Sequence, residues 1–209
     1  MDQIHSLKID SLLPFDGTVI INIESALPTE FSLNFRIPSW CLATPTPQGD
    51  SSNTGGSNWK IYINDEPCKN GILTEDFSSF QATAQGYDPR LSFFLNISRI
   101  WNSGDIIRLE FDMPILFRKA HPAVKNHQGK VAVTRGPLVY CLETIDNPDV
   151  DIFVTKLDIA SLLPEIIENK LGKITVLRGK STQIQDLTFI PYHLWANRGA
   201  SQMNVWVNG

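Results

Sequence analysis

Four histidines, three cysteines and a few clustered carboxylates are the residues of this 209-residue chain whose types could carry chemistry. His5 stands near the start, His121 and His127 share the polar stretch "HPAVKNHQG", and His193 sits in "IPYHLWANRG". The spacing of His121 and His127 matches no standard zinc-ligand pattern, so no metal ligand is assigned. Cys41, Cys68 and Cys141 form no CxxC pair and leave an odd one over, so they read as small buried hydrophobes and not as a disulfide framework. Two carboxylates can share acid and base duty only when held about 5 Å or about 6.5 to 9.5 Å apart. The candidates are Glu75 with Asp76 in a polar turn region, and Glu143 with Asp146 at the end of an apolar run; nothing in the sequence brings either pair to that separation. No GxSxG, phosphate-binding glycine loop or HExxH occurs. The sequence therefore assigns no catalytic residue.

Binding is the second kind of chemistry to weigh. Tyr192, His193, Trp195 and Arg198 are the binding candidates, a polar-aromatic group within one short loop. The competing reading is structural, in which these side chains knit the loop to a sheet through hydrogen bonds. The five tryptophans raise the same question more widely, because flat rings can stack on sugars. Most of them sit beside apolar alternation, where large rings fill sandwich interiors. A planar row of solvent-facing Trp would favour a stand-alone carbohydrate-binding module.

The elements that must position these groups are strands. "EFSLNFRIP" (30–38) places Phe31, Leu33, Phe35 and Ile37 on one face and Ser32, Asn34 and Arg36 on the other, as a half-buried antiparallel strand requires. "TVIINIES" (18–25), "WKIYIND" (59–65), "RLSFFLNIS" (90–98) and "DIIRLEFDMP" (105–114) alternate in the same way. Asp16-Gly17 and Asn102-Ser103-Gly104 supply turns. Between Leu42 and Asn58 the chain is rich in Pro, Gly, Ser and Thr and poor in core-forming side chains, which predicts a mobile loop. "KVAVTRGPLVYCLE" (130–143) reads as strand, Gly-Pro break, strand; "KITVLRG" (173–179), "LTFIP" (187–191) and "MNVWV" (203–207) are further strands. The one helix candidate is "PEIIENKLG" (164–172), with Pro at a first-turn position and Gly at a stop position. Short strands with frequent turn signals and no strand–helix alternation predict an all-β chain of two antiparallel, jelly-roll-like β-sandwich domains with very little helix. A composition shift near residues 116–120 puts the first sandwich at 1–117 and the second at 118–202.

"GKVAVTRGPLVYCLE" (129–143) and "LTFIPYHLWANRGASQMNVWV" (187–207) resemble the C-terminal region of glycoside hydrolase family 127, the β-L-arabinofuranosidase-like enzymes. "LPFDG" (13–17) resembles a family turn, with Phe15 where Trp is usual, and the Trp101, Gly104-Asp105, Met113-Pro114 pattern is similar to the end of the family's first sandwich. The resemblance implies that the final strand 203–207 returns to the first sandwich. It also implies that catalysis resides in a helical (α/α)6 barrel, with a glutamate and zinc-bound cysteines that have no counterpart here. Zinc is therefore expected only in that barrel, and no cofactor in this chain. The implied function is the non-catalytic β portion of such an enzyme, with the barrel as partner in cis or in trans. A chain without its barrel is expected to self-associate through the uncovered face.

Composition sets the remaining bounds. A hydrophobic content of 42% suffices for packed cores. A formal charge of −4 with scattered Lys and Arg gives no footprint for nucleic acid. No apolar run approaches the ~20 residues that span a bilayer. The first ten residues lack the basic and apolar regions of a signal peptide, so the chain as given is expected in the cytoplasm.

Overall fold

The computed structural model describes residues 5–41, 59–68, 72–74, 93–169 and 172–209. The expected loop between Leu42 and Asn58 and the Glu75-Asp76 pair lie outside the described residues. The described chain is all-β, without an α-helix, and divides into two units, Met1–Met113 and Pro114–Gly209. No helix among the described residues is long and apolar enough to cross a membrane.

Unit 1 holds eight strands: β1 (His5–Ser11), β2 (Thr18–Ser25), β3 (Thr29–Ile37), β4 (Trp59–Ile63), β5 (Glu66–Pro67), β6 (Ile72–Thr74), β7 (Phe93–Trp101) and β8 (Ile106–Phe111). They form a five-stranded sheet of order β1-β2-β8-β4-β5 and a three-stranded sheet of order β3-β7-β6, all pairs antiparallel. One core joins the two sheets: Ile21, Ile23, Ile61, Ile63, Ile107, Leu109 and Phe111 come from the larger, and Phe35, Ile37, Leu95, Ile97 and Trp101 from the smaller. The period-two alternation read in 30–38 is the cause, since Ser32, Asn34 and Arg36 stay exposed while Phe35 and Ile37 are buried. Trp101 is fully buried, and its indole Nε1 donates to the carbonyl of Phe31 at 3.0 Å.

Two turns fix the register. Asp16 Oδ1 accepts the Thr18 amide at 2.8 Å, and the Phe111 amide donates to the Gly17 carbonyl at 2.9 Å. A Cβ at Gly17 would collide with the Phe111 carbonyl oxygen, so glycine is required there by close approach of two backbones. In the β7–β8 turn, buried Asp105 accepts the Asn102 amide and the Asn64 side chain, each at 2.9 Å, and Gly104 takes a φ of +90°.

Unit 2 also has eight strands: β9 (Ile115–Lys119), β10 (Lys130–Arg135), β11 (Leu138–Glu143), β12 (Leu157–Asn169), β13 (Gly172–Ser181), β14 (Asp186–Pro191), β15 (Met203–Asn204) and β16 (Trp206–Asn208). They make one antiparallel network of order β12-β13-β14-β11-β10-β16, with β9 on β10 and β15 on β11.

Three sequence expectations change here. The boundary falls at residue 113 and not 117, because Ile115–Lys119, where the composition shifts, pairs along β10 from Val131 to Arg135 and so belongs to a strand of the second unit. The helix expected at 164–172 is strand: residues 163–169 pair with 172–178. Adjacent β-branched Ile166 and Ile167 favour extended backbone. Pro164 is tolerated because β12 is an edge strand, and Gly172, at φ +102°, closes a hairpin instead of ending a helix. Finally, the last strand does not return to unit 1. After the Gly136-Pro137 turn, β10 and β11 diverge, and the C-terminal segment fills the fork: Met203 and Asn204 pair with Glu143 and Leu142, and residues 206–208 pair with 130–132. Val207 is completely buried there.

Candidate functional site

The loop carrying the binding candidates leaves β14 at Pro191, turns through a 3-10 segment (Tyr192–Leu194) and re-enters the sheet at Met203. Tyr192 and His193 are exposed on that turn, and Trp195 is half-buried. Arg198 points elsewhere. Its guanidinium forks onto Asp146 at 2.7 and 2.5 Å and reaches Glu143 Oε2 at 2.5 Å. The structure thus keeps Tyr192 and His193 on the surface and commits Arg198 to an ion-pair network.

Glu143 is the hub. It ends the almost wholly buried strand β11 and its side chain has no exposed surface. Oε1 accepts the Ala196 amide at 2.9 Å and the Ser201 hydroxyl, while Oε2 takes Arg198. Burial alone would raise the Glu143 pKa, but the hydrogen bonds from Ser201, Ala196 and Arg198, with the Arg198 charge, hold it below the usual carboxylate value. Arg198 is held charged above its ordinary value, by the Asp146 hydrogen bond first and Glu143 after it, against the opposing effect of burial. One turn later, buried Asn147 donates to the carbonyls of Glu143 (2.9 Å) and Thr188 (3.0 Å) and accepts the Thr188 amide at 2.8 Å. The backbone of Thr144 and Gln202 completes the closure, the Thr144 amide donating at 3.0 Å.

This arrangement does little chemistry of its own. A general acid needs a raised pKa and a nucleophile needs an open face; Glu143 has a lowered pKa and its oxygens are engaged. The group is a latch that ties residues 196–202 to the end of β11. The sequence offers Glu143 with Asp146 as a carboxylate pair and Arg198 as a separate binding candidate; the guanidinium that joins them, and the parts of Asn147 and Ser201, carry no local signal. An ionisable residue closing the apolar run "LVYCL" is the one hint, because a buried carboxylate must find partners.

The remaining candidates are scattered. His5 stacks near Phe31 at 5.2 Å, His121 Nδ1 accepts the Ala123 amide at 3.2 Å, and His127 packs on Trp206 at 4.8 Å. Cys41 and Cys141 are buried and Cys68 is half-buried. Burial, then the negative charges of Glu143 and Asp146, push the Cys141 thiol up to about 12, against the pull of Arg198; that is the reverse of what a metal-bound thiolate needs. Among the described residues no three of His, Cys, Asp and Glu gather as a metal site.

Comparison with known proteins decides the family. Residues 2–113 match the model described as "Beta-L-arabinofuranosidase, GH127 middle domain", and residues 115–208 match "Glycoside hydrolase family 127 C-terminal domain". The chain belongs to glycoside hydrolase family 127. The junction between the two matches coincides with the division between the units of this family 127 chain. A curated relative, the non-reducing end β-L-arabinofuranosidase of Bifidobacterium longum subsp. longum, is 33% identical over 94% of the chain, which spans 29% of that enzyme. The crystal structure of a GH127 β-L-arabinofuranosidase from Geobacillus stearothermophilus T6 superposes with a TM-score of 0.68 at 28% identity, covering 99% of this chain and 31% of that one. A structure titled "Glycoside hydrolase" gives a TM-score of 0.65 at 27% identity, covering 97% of this chain and 32% of the other. The family 127 chain therefore spans less than a third of the relatives it matches.

Proposed function

We propose that this chain is the non-catalytic β portion of a family 127 glycoside hydrolase, supporting a helical catalytic barrel that acts on β-L-arabinofuranosides and is joined to it in cis or supplied in trans. The observation that carries this reading is the pair of adjoining matches to the family's middle and C-terminal domains, over less than a third of the relatives' length. The Glu143 latch supports it, since the best-placed carboxylates are spent on folding. Zinc, on this reading, belongs to the barrel.

A stand-alone carbohydrate-binding module draws support from the exposed Tyr192–His193 turn. Against it, none of the five tryptophans is exposed, so no solvent-facing row exists for a sugar to stack on.

The test is release of 4-nitrophenol from its β-L-arabinofuranoside by the purified chain, with and without zinc. The expected result is the buffer rate under both conditions. Turnover that survives repurification and disappears in Glu143→Gln overturns the reading.

A further inference from the structure

We propose that the core-side face of β1, made by Leu7 and Ile9 and continued by Leu12 and Leu13, is the docking surface for the domain that precedes the middle domain in family 127 enzymes. The proposal rests on the accessory-domain reading above. Its starting point is register. In the β1–β2 pair, Leu7 lies opposite Ile23 and Ile9 opposite Ile21. Residues directly opposed in an antiparallel pair project to the same side of the sheet. Ile23 is 0% and Ile21 8% exposed, so that side is the core side. Yet Leu7 is 43% and Ile9 63% exposed, and Leu12 and Leu13, in the turn that follows, are 40% and 37% exposed. The five-stranded sheet faces a sheet of three strands, whose Phe31 meets its edge strand β1 at His5 and leaves Leu7 and Ile9 open beyond it.

An edge strand left open to water is normally blunted with charge on both faces. Here Lys8 and Asp10 alternate with Leu7 and Ile9, so the strand keeps the pattern of one that is covered on one side. The occupant follows from the matches. The first family model is a middle domain that begins at residue 2, and relatives are about three times as long as this chain. In those enzymes the portion preceding the middle domain is therefore tethered within a few residues of β1. Such a tether holds it at high effective concentration beside this face, and an apolar face gains by burial against an apolar partner.

The experiment uses the full chain as wild type, as Leu7→Ser/Ile9→Thr, and as a control, Leu163→Ser/Ile166→Thr, which removes apolar side chains exposed on the β12–β13 hairpin. The probe is the separately produced portion of the Bifidobacterium longum enzyme that precedes its middle domain, titrated by calorimetry. The expected result is binding by wild type and control, and binding weaker by roughly tenfold or more for the β1 variant, since truncating a central apolar anchor costs at least about 1.4 kcal/mol. In a parallel exchange measurement, which needs no variant, the probe should slow the amides of residues 5–11. Equal binding by wild type and β1 variant, with unchanged exchange in β1, overturns this face while leaving the accessory role intact. No binding, with a wild-type dimer that the β1 substitutions dissociate, assigns the face to a second copy and overturns the proposal. No binding by a monomeric chain removes both this inference and the reading beneath it.

Discussion

Arg198 and Asp146 are joined by a two-point fork, Nη1 to Oδ1 at 2.7 Å and Nη2 to Oδ2 at 2.5 Å, across 52 residues of sequence. The same guanidinium reaches Glu143, so one side chain closes the loop that follows β14 onto the end of β11. Glu143 is completely buried, whereas Arg198 keeps 42% of its side-chain surface in water.

Removing Arg198 should therefore destabilise unit 2 by about 2 kcal/mol, below the 3–5 kcal/mol of a fully buried pair because water screens the exposed guanidinium. Arg198→Lys should recover only part of this, since an ammonium cannot fork onto Asp146. Urea unfolding of the two variants checks the order. An Arg198→Ala midpoint equal to wild type would show that the latch carries no weight.

The lowered pKa of Glu143 makes stability depend on pH in a defined sense. A carboxyl whose folded value lies below its unfolded value of about 4.3 binds fewer protons when folded. Its contribution is present above about pH 4.3 and is lost as pH falls through the folded value. Asp105 acts with the same sign in unit 1: burial would raise its pKa, but the Asn102 amide, Asn64 and the Arg99 charge hold it lower. Urea midpoints should be level near neutrality and fall on acidification below about pH 4.3, with a shallower fall in Glu143→Gln. An acid limb of unchanged slope in that variant would sink the assignment.

Glycine is needed for different reasons at two turns. At Gly17 a Cβ meets the Phe111 carbonyl, whose own residue donates to the Gly17 carbonyl, so neither backbone can yield. At Gly104 nothing lies within 4 Å and the cost of a side chain is only the left-handed φ of +90°. Gly104→Ala should cost about 1–2 kcal/mol, and Gly17→Ala about 3 kcal/mol or more. Thermal unfolding that ranks them the other way would contradict the close approach of β2 and β8.

How much of this was legible follows from the range of each signal. The alternation of Phe31, Leu33, Phe35 and Ile37 is local and strong, and β3 lies where it predicts. In β1 only Leu7 and Ile9 alternate, too few to mark a strand in the sequence. Residues 164–172 carried Pro and Gly at helix-like positions, but an edge strand and a hairpin turn use the same residues. The destination of 203–208 depends on the fork between β10 and β11, a tertiary feature with no imprint on that segment. The site was legible as residue types only. Glu143, Asp146 and Arg198 each stand out as ionisable groups near apolar runs, yet the Arg198–Glu143 partnership spans 55 residues and depends on β14 lying beside β11.

The tryptophans give the last prediction. Trp101 is fully enclosed between the sheets of unit 1, its Nε1 bonded to the Phe31 carbonyl and Arg99 lying 5.0 Å above its ring. Replacing it with Ala opens a large cavity and strands that carbonyl, so Trp101→Ala should cost about 3–5 kcal/mol. Trp195 is only half-buried in the loop that Arg198 already holds, and water fills part of the space its ring leaves. Trp195→Ala should then cost about 1–2 kcal/mol, since the transfer loss scales with the area actually buried. Chemical unfolding of both variants at one pH separates the cases. A Trp195 variant as unstable as the Trp101 variant would mean that the loop is held mainly by the indole, and the weight now given to the Arg198 latch would pass to it.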